Sequence, residues 1–539
     1  MSARLRSASF AALLTLLVSF GSAAPADAAS PEELDAKLKA LQEQVDALKR
    51  ELEKSRQAPA VAAPPAPAPA PPAETPAAGQ AAPAPAPTPA TAEQSPAPVA
   101  ATTPWITDFK IGGYGSVRFE SSDIDKVGDT FTFRRFVLSG DATIANRIRS
   151  VVELEFEHLT ELEVEKSAPS EGGLRGFSSS IESSNGSEIS LEQAWVEFML
   201  AEWLRFRAGM LLVPLGRFNL SHDDNRWDLP RRSLVDRGVS VLPSTAAWSE
   251  VGMGFAGDID GGAWGKFGYQ VYVMNGVTLD ASLETVARGS GELETEVEVK
   301  PQRGTANIDV KKDKAGALRV FWSPSIGNEI GTSVYYGRYT PDFLPSEAVW
   351  SVSGDGKLTF GPFEVEGEYV YTRWNGIKRV AQGFANAVAE QELASGTAPL
   401  DVVVEFELAG LADSKQGYWL DLRYRFFPEF LRGTVFGRPF ENPQFVLTTR
   451  WEQVWLHNLV KEIAFTGSTV EDIMREDRYI NRATLGFTYR PIPLVAFQLA
   501  FERTWTDHGN SLASVTNFIP AKRTEDTQNS FLFGVAFGF

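Results

Sequence analysis

From Trp105 onward apolar and polar residues alternate one by one, and the alternation persists to Phe539. Phe363, Val365, Gly367, Tyr369 and Tyr371 stand against Glu364, Glu366 and Glu368. Tyr418, Leu420, Leu422 and Tyr424 stand against Asp421, Arg423 and Arg425, and Ala483, Leu485, Phe487 and Tyr489 against Arg482, Thr484, Thr488 and Arg490. A period of two sends successive side chains to opposite faces of a strand, so one face is greasy and the other charged. Sixteen such segments run from 109–120 to 529–539. Their length of about 11–14 residues exceeds the roughly 5–6 usual in globular proteins and suffices to cross a bilayer at a tilt. Short connections (144–146, 202, 258–262, 361, 491–492) alternate with long ones (159–188, 213–247, 276–314, 375–415, 455–478). The pattern predicts an all-β fold over 105–539, a 16-stranded antiparallel transmembrane β-barrel. The connection 428–442 departs from it, being too long for a tight turn.

A soluble β-sandwich would also alternate, but its strands would be shorter. Trp105, Trp203, Trp248, Trp264, Trp374 and Trp505 fall at strand ends, as an interfacial girdle requires. In the terminal segment Phe531, Phe533, Val535, Phe537 and Phe539 are expected to face lipid. Leu532, Gly534, Ala536 and Gly538 face inward, and the strand should close against the one beginning near Phe109.

The first 104 residues follow other rules. Residues 1–28 read as a signal peptide: Arg4 and Arg6, the apolar run 9–20, and the small-residue cleavage site Ala26-Asp27-Ala28. Ser30-Pro31-Glu32-Glu33 is a capping box with proline at the first helical position. Leu34, Leu38, Leu41, Val45, Leu48 and Leu52 then follow at alternating spacings of four and three, which predicts a short α-helical coiled coil over 30–56. Residues 57–104 hold 15 of the 33 prolines, set in alanine, and predict a disordered, semi-rigid Pro/Ala-rich linker. Such a coiled coil on such a spacer could reach the cell wall, so an envelope tether anchored by the barrel, with peptidoglycan as partner, stands beside any transport role.

Composition narrows the chemistry. With no cysteine, disulfides, thiolate metal sites and cysteine nucleophiles are excluded. The formal net charge is −18; residues 1–56 are balanced and 57–104 carry only Glu74 and Glu93, so the acidity belongs to the barrel segment. A nucleic-acid partner would need a basic surface instead. Ser221-His222-Asp223 contains the letters of a catalytic triad, but adjacent residues cannot align nucleophile, base and orienter. No catalytic residue, metal site or cofactor is therefore expected.

The run FTFRRFVLSGDATIANRIRSVVELEFE (131–157), the segment LEQAWVEFMLAEWLRFRAGMLLVPLGR (191–217) and the terminal FLFGVAFGF resemble the phosphate-selective porin O and P family of Gram-negative outer membranes. The resemblance implies a homotrimeric sixteen-stranded porin, a water-filled channel for small hydrophilic solutes such as phosphate or carboxylates. It also implies an outer-membrane location among lipid and lipopolysaccharide, assembly by the barrel-assembly machinery, and an N-terminal region in the periplasm.

In a barrel of this size an outer loop folds inward and sets the constriction. The candidate is 214–247, where Arg217, Arg226, Arg231, Arg232 and Arg237 stand against Asp223, Asp224, Asp228 and Asp236. Rings of arginine select anions, and guanidinium groups bind phosphate or carboxylate bidentately, which gives a modest lean toward anions. Inward arginines at Arg147, Arg149, Arg205, Arg207, Arg423, Arg425, Arg482 and Arg490 would continue a pore-lining path. The alternative is that they pair with inward acids such as Glu153, Glu155, Glu157, Glu197 and Asp421, giving a rigid mixed-charge lumen. The loop has no lysine, unlike the lysine-rich anion signature of the family it resembles.

Overall fold

The alternating segments become the two faces of one closed sheet. The computed structural model describes residues 106–123, 129–157, 188–236, 240–287, 293–304, 311–395, 401–406, 411–466, 469–506 and 526–539. The expected signal peptide, coiled coil and linker lie outside the described residues.

The strands, in chain order, are β1 (Ile106–Ser122), β2 (Thr130–Ile144), β3 (Ile148–Glu157), β4 (Glu188–Ala201), β5 (Leu204–Leu212), β6 (Ser249–Asp260), β7 (Lys266–Met274), β8 (Thr278–Ala287), β9 (Leu293–Gln302) and β10 (Ala315–Ser325). They continue with β11 (Asn328–Arg338), β12 (Ala348–Phe360), β13 (Phe363–Trp374), β14 (Asp401–Phe406), β15 (Leu411–Phe426), β16 (Gln444–Thr466), β17 (Thr469–Ile492), β18 (Val495–Thr506) and β19 (Thr527–Gly538). All but β8, β9 and β14 form the wall, a closed antiparallel barrel of 16 strands. β7 pairs directly with β10, and β13 with β15. The ring is sealed by β1 against β19, in register from Tyr114↔Gly538 to Ser122↔Ser530, with Gly113 and Phe539 exchanging backbone hydrogen bonds at the rim.

The wall's outside is apolar and uncovered: Phe131 is 74% exposed, and Ile111, Leu485, Phe487, Phe497, Phe501 and Phe533 are likewise exposed. Its inside buries charge, with Arg135, Arg319, Arg423, Arg450, Arg482, Glu452 and Asp421 all nearly inaccessible. An apolar belt of this extent is solvated by hydrocarbon rather than by water, and closure leaves no strand edge unpaired in that hydrocarbon. The barrel is built to sit in a membrane.

The structure departs from the sequence expectation on the long-loop side. β15, β16 and β17 extend beyond the segments expected at 416–427, 443–454 and 479–490, so that most of 455–478, expected as a connection, is strand. Bulges between Leu456 and Leu459 and between Val460 and Glu462, with Asn458 at φ 51°, shift the period and hid it. Above the rim β8 and β9 form a hairpin, β9 pairs in parallel with β14, and β14 pairs with the far end of β16. A helix, α2 (Ile377–Ser395), covers this added sheet; a one-turn helix, α1 (Arg217–Leu220), precedes it in the chain. Ile377, Val380, Ala381, Phe384 and Val388 recur at helical spacing and pack with Val402, Val404, Leu411, Leu459, Val460 and Ile463. The base of this cap is held by Lys311, a buried ammonium whose three N–H groups are shared among the carbonyls of Asn275 (2.7 Å), Gly276 (2.9 Å), Val277 (2.9 Å) and Arg338 (3.0 Å).

Candidate pore constriction

The chain between β5 and β6 turns into the barrel. Its two ends are clamped together: the Val213 N–H donates to Trp248 O, and Asn219 donates to the carbonyls of Val213 and Trp248 while accepting from the Trp248 N–H. Gly216, at φ 74°, lets the loop press on β13, since a Cβ there would meet the Glu368 carboxylate at 2.0 Å. That carboxylate accepts from the Phe218 N–H at 2.7 Å.

The loop then lies along the wall formed by β15 to β19 and β1. Its underside packs into the apolar core that continues up to the cap. Trp227 stacks on Phe218 at 4.7 Å and meets Trp419 edge-on at 5.3 Å, with the guanidiniums of Arg423 and Arg450 over its ring. Leu229 packs on Ala500 and Leu532. Inward glycines make the room: a Cβ at Gly486 would stand 2.2 Å from Leu229, and one at Gly534 2.7 Å from Pro230. The small inward face of the terminal strand is thus the bed of the loop.

Asp228 is the electrostatic centre of this contact. It takes Arg490 Nε at 2.6 Å, Arg425 at 2.9 Å and Arg423 at 3.5 Å. Burial alone would raise its pKa, but Arg490, Arg425 and Arg423 outweigh that and hold it down to about 2. Asp224, against Arg135 and Arg232 and accepting from the Ser116 hydroxyl, is held far below the usual carboxylate range despite its burial. On the other side His222 donates through Nδ1 to Asn219 O (2.9 Å) and faces Glu192 with Nε2 (3.3 Å). Burial works against its charge, yet Glu192 and Asp223 prevail and push it up to about 9. Neither ring nitrogen is left for Ser221.

The arginines expected at the constriction divide. Arg226, paired among the described residues with Asp223 at 2.8 Å, keeps 61% of its side chain exposed in the lumen. Arg217 is mostly covered, between Glu366 and Glu329. Arg231 is buried against Glu120 and Glu502, and Arg232 against Asp224, Asp236 and the Ala246 carbonyl. Both fasten the loop to the protein instead of facing solute. Arg237 lies outside the described residues.

The wall arginines are mostly paired as well. Arg205 bridges Asp258 and Glu197, and Arg207 binds Glu197 and donates to the Tyr272 hydroxyl. Arg149 takes Asp141 in a fork and, with Arg207, lies over the Trp195 ring. Arg423 binds Asp421, Glu364 and Glu366; Arg482 donates to the Thr504 hydroxyl near Glu452 and Glu502. Arg490 spends its remaining donors on the carbonyls of Asn225, Trp227 and Pro493. Arg147 is not on the wall: it stands exposed in the turn between β2 and β3, because the left-handed Ala145 and Asn146 carry the turn through Arg147 and β3 begins only at Ile148, one residue later than expected. Between loop and wall a cavity of 580 Å³ opens, lined by Glu153, Asp223, Arg226, Arg425 and Arg490 and reaching Pro493 and Phe539 at the short-turn rim. Glu192, Asn219 and Trp227, central to this geometry, carry no periodic or compositional signal that would single them out in the sequence.

No family model matches the chain. A protein of Aquifex aeolicus (strain VF5), described as uncharacterised, is 25% identical over 189 residues, 34% of this chain and 37% of that protein, so the match spans little more than a third of the relative's length. Among solved structures the chain is similar to an anion-selective porin of Comamonas acidovorans (TM-score 0.41, 9% identity, 80% of this chain and 99% of that one). It is also similar to the outer-membrane channel DcaP of Acinetobacter baumannii (0.40, 9%, 80% and 97%) and to the trimer form of OmpT, an outer-membrane protein of Vibrio cholerae (0.40, 9%, 80% and 99%). At these identities and scores the likeness assigns neither family nor cargo.

Proposed function

We propose that the chain is an outer-membrane porin, a passive channel for small hydrophilic solutes, working as a homotrimer in the outer membrane of a Gram-negative cell with its N-terminal region in the periplasm. One observation carries this reading: a closed barrel with an apolar outside and a charged inside, whose inward loop is fixed to one side and leaves a polar cavity beside it. Fixing the loop narrows the lumen without a moving part, which suits diffusion. The lean toward anions is narrower than the arginine count suggests. It rests on Arg226 and Arg425, which line the cavity with side chains 61% and 28% exposed, although each is itself paired with an acid, Asp223 and Asp228. The protein reconstituted in planar bilayers under a salt gradient should conduct, with a reversal potential on the anion side, and Arg226→Glu should move that potential toward cations with conductance kept within about twofold. No conductance at all would end the porin reading; cation preference in the unaltered protein would end the anion lean.

A further inference from the structure

The strands meet in tight turns at one rim, at 145–147, 202–203, 261–265, 326–327, 361–362 and 493–494. The exception is the path from β15 to β16, Phe427–Pro443, with a 3₁₀ turn over Glu429–Leu431. It is a built element. Successive turns are closed by the N–H groups of Leu431, Arg432, Thr434, Gly437 and Arg438 donating to Pro428, Glu429, Leu431, Thr434 and Thr434 carbonyls, and the Thr434 hydroxyl adds a bond to Leu431 O.

The element leans over the outside of the barrel. Phe436 meets Tyr489 edge-on at 5.5 Å, the Tyr489 hydroxyl donates to Phe436 O, and Phe427 stacks on Phe445 at 5.6 Å. Tyr489 and Phe445 occupy lipid-facing positions of β17 and β16, paired in register, and Phe445 is buried beneath the added segment. The segment replaces the surface it covers with its own apolar tips, Phe430 at 80% exposure, Val435 at 77% and Phe436 at 45%. Exposed Arg432, bridged to Glu429 at 2.6 Å, and Arg438 stand among them.

Resting on the membrane-barrel reading, we propose that Pro428–Pro443 is an interfacial anchor whose Phe430 and Val435 enter the phospholipid leaflet at the short-turn rim, with Arg432 and Arg438 at the level of the phosphates. Three observations select lipid as the occupant. The patch is continuous with the lipid-facing belt through Phe436, Tyr489, Phe487 and Phe445. Its hydrogen-bonded turns hold the apolar tips out, where water would penalise them. Its polar residues, Arg438 and the Arg432–Glu429 pair at 2.6 Å among them, stand beside the apolar tips, the mixed character that a headgroup plane accepts.

The chain has no cysteine, so single cysteines can be placed cleanly. Phe430→Cys and Val435→Cys, each carrying an environment-sensitive fluorophore, would be folded into phosphatidylethanolamine and phosphatidylglycerol vesicles. Quenching by headgroup-proximal spin-labelled lipid and by aqueous iodide would be compared with Ile326→Cys in a tight turn and Leu485→Cys on the mid-wall. Positions 430 and 435 should exceed 326 in lipid quenching by about threefold and fall below it in iodide quenching by a similar factor. Behaviour like that of 326 overturns the anchor, and if 485 is also open to iodide it is the barrel reading that has failed. Efficient disulfide cross-linking of Val435→Cys between copies overturns the proposal too, by making the patch a contact between protomers.

Discussion

Asp228 is an acid on a loop notable for its arginines, and it fixes where that loop rests. Its three partners are inward residues of β15 and β17, legible as inward from the alternation in the sequence; their convergence on Asp228 was not, because the pairs are 195 to 262 residues apart in the chain. His222 has the same character on the opposite side. Protonated, it can donate to both Asn219 O and Glu192, and its pKa is pushed up to about 9 from an ordinary 6.5. A group raised in this way holds its place fully below pH 6.5 and loses its contribution as the pH climbs through 9; the contribution is capped at about 3 kcal/mol. Spontaneous closures of the channel should therefore become more frequent between pH 7 and pH 10. In His222→Gln that rise should be absent, with closures already frequent at pH 7, as single-channel recordings would show. An unchanged pH response in the variant would assign the effect to another group.

The wall strands were legible because each must satisfy two solvents at once, and a period of two is the signature of that demand. The cap was not. β8, β9, β14 and α2 bury apolar residues against one another and against the far ends of β15 and β16, so their pattern depends on neighbours that only the closed sheet assembles. The bed of the inward loop is similar: Gly486 and Gly534 read as weak strand positions, yet their missing side chains make space for Leu229 and Pro230. Gly486→Leu should push the loop off the wall and destabilise it by roughly 1–3 kcal/mol, as overpacking does. The check is single-channel conductance, expected to fall and become noisy while the heat-modifiable mobility of the folded barrel persists. A quiet channel of unchanged conductance would mean that Leu229 yields without moving the loop.

For the whole molecule, a wall of arginine and carboxylate pairs gives a lumen whose charges are mostly answered among the barrel strands and the inward loop. We expect deletion of 30–104 to leave conductance unchanged while abolishing sedimentation of the protein with purified cell-wall sacculi. Sedimentation that survives the deletion would remove the tether from consideration. The cap over the other rim introduces a last consequence. A junction of four carbonyl oxygens is ordinarily a place for a free cation, taken up or given back as the medium dictates; here the position is filled by the ammonium of Lys311, tied to the chain by its own side chain. A mount that carries its own cation draws none from the medium, so neither a chelator nor dilution can strip from these carbonyls the charge they share.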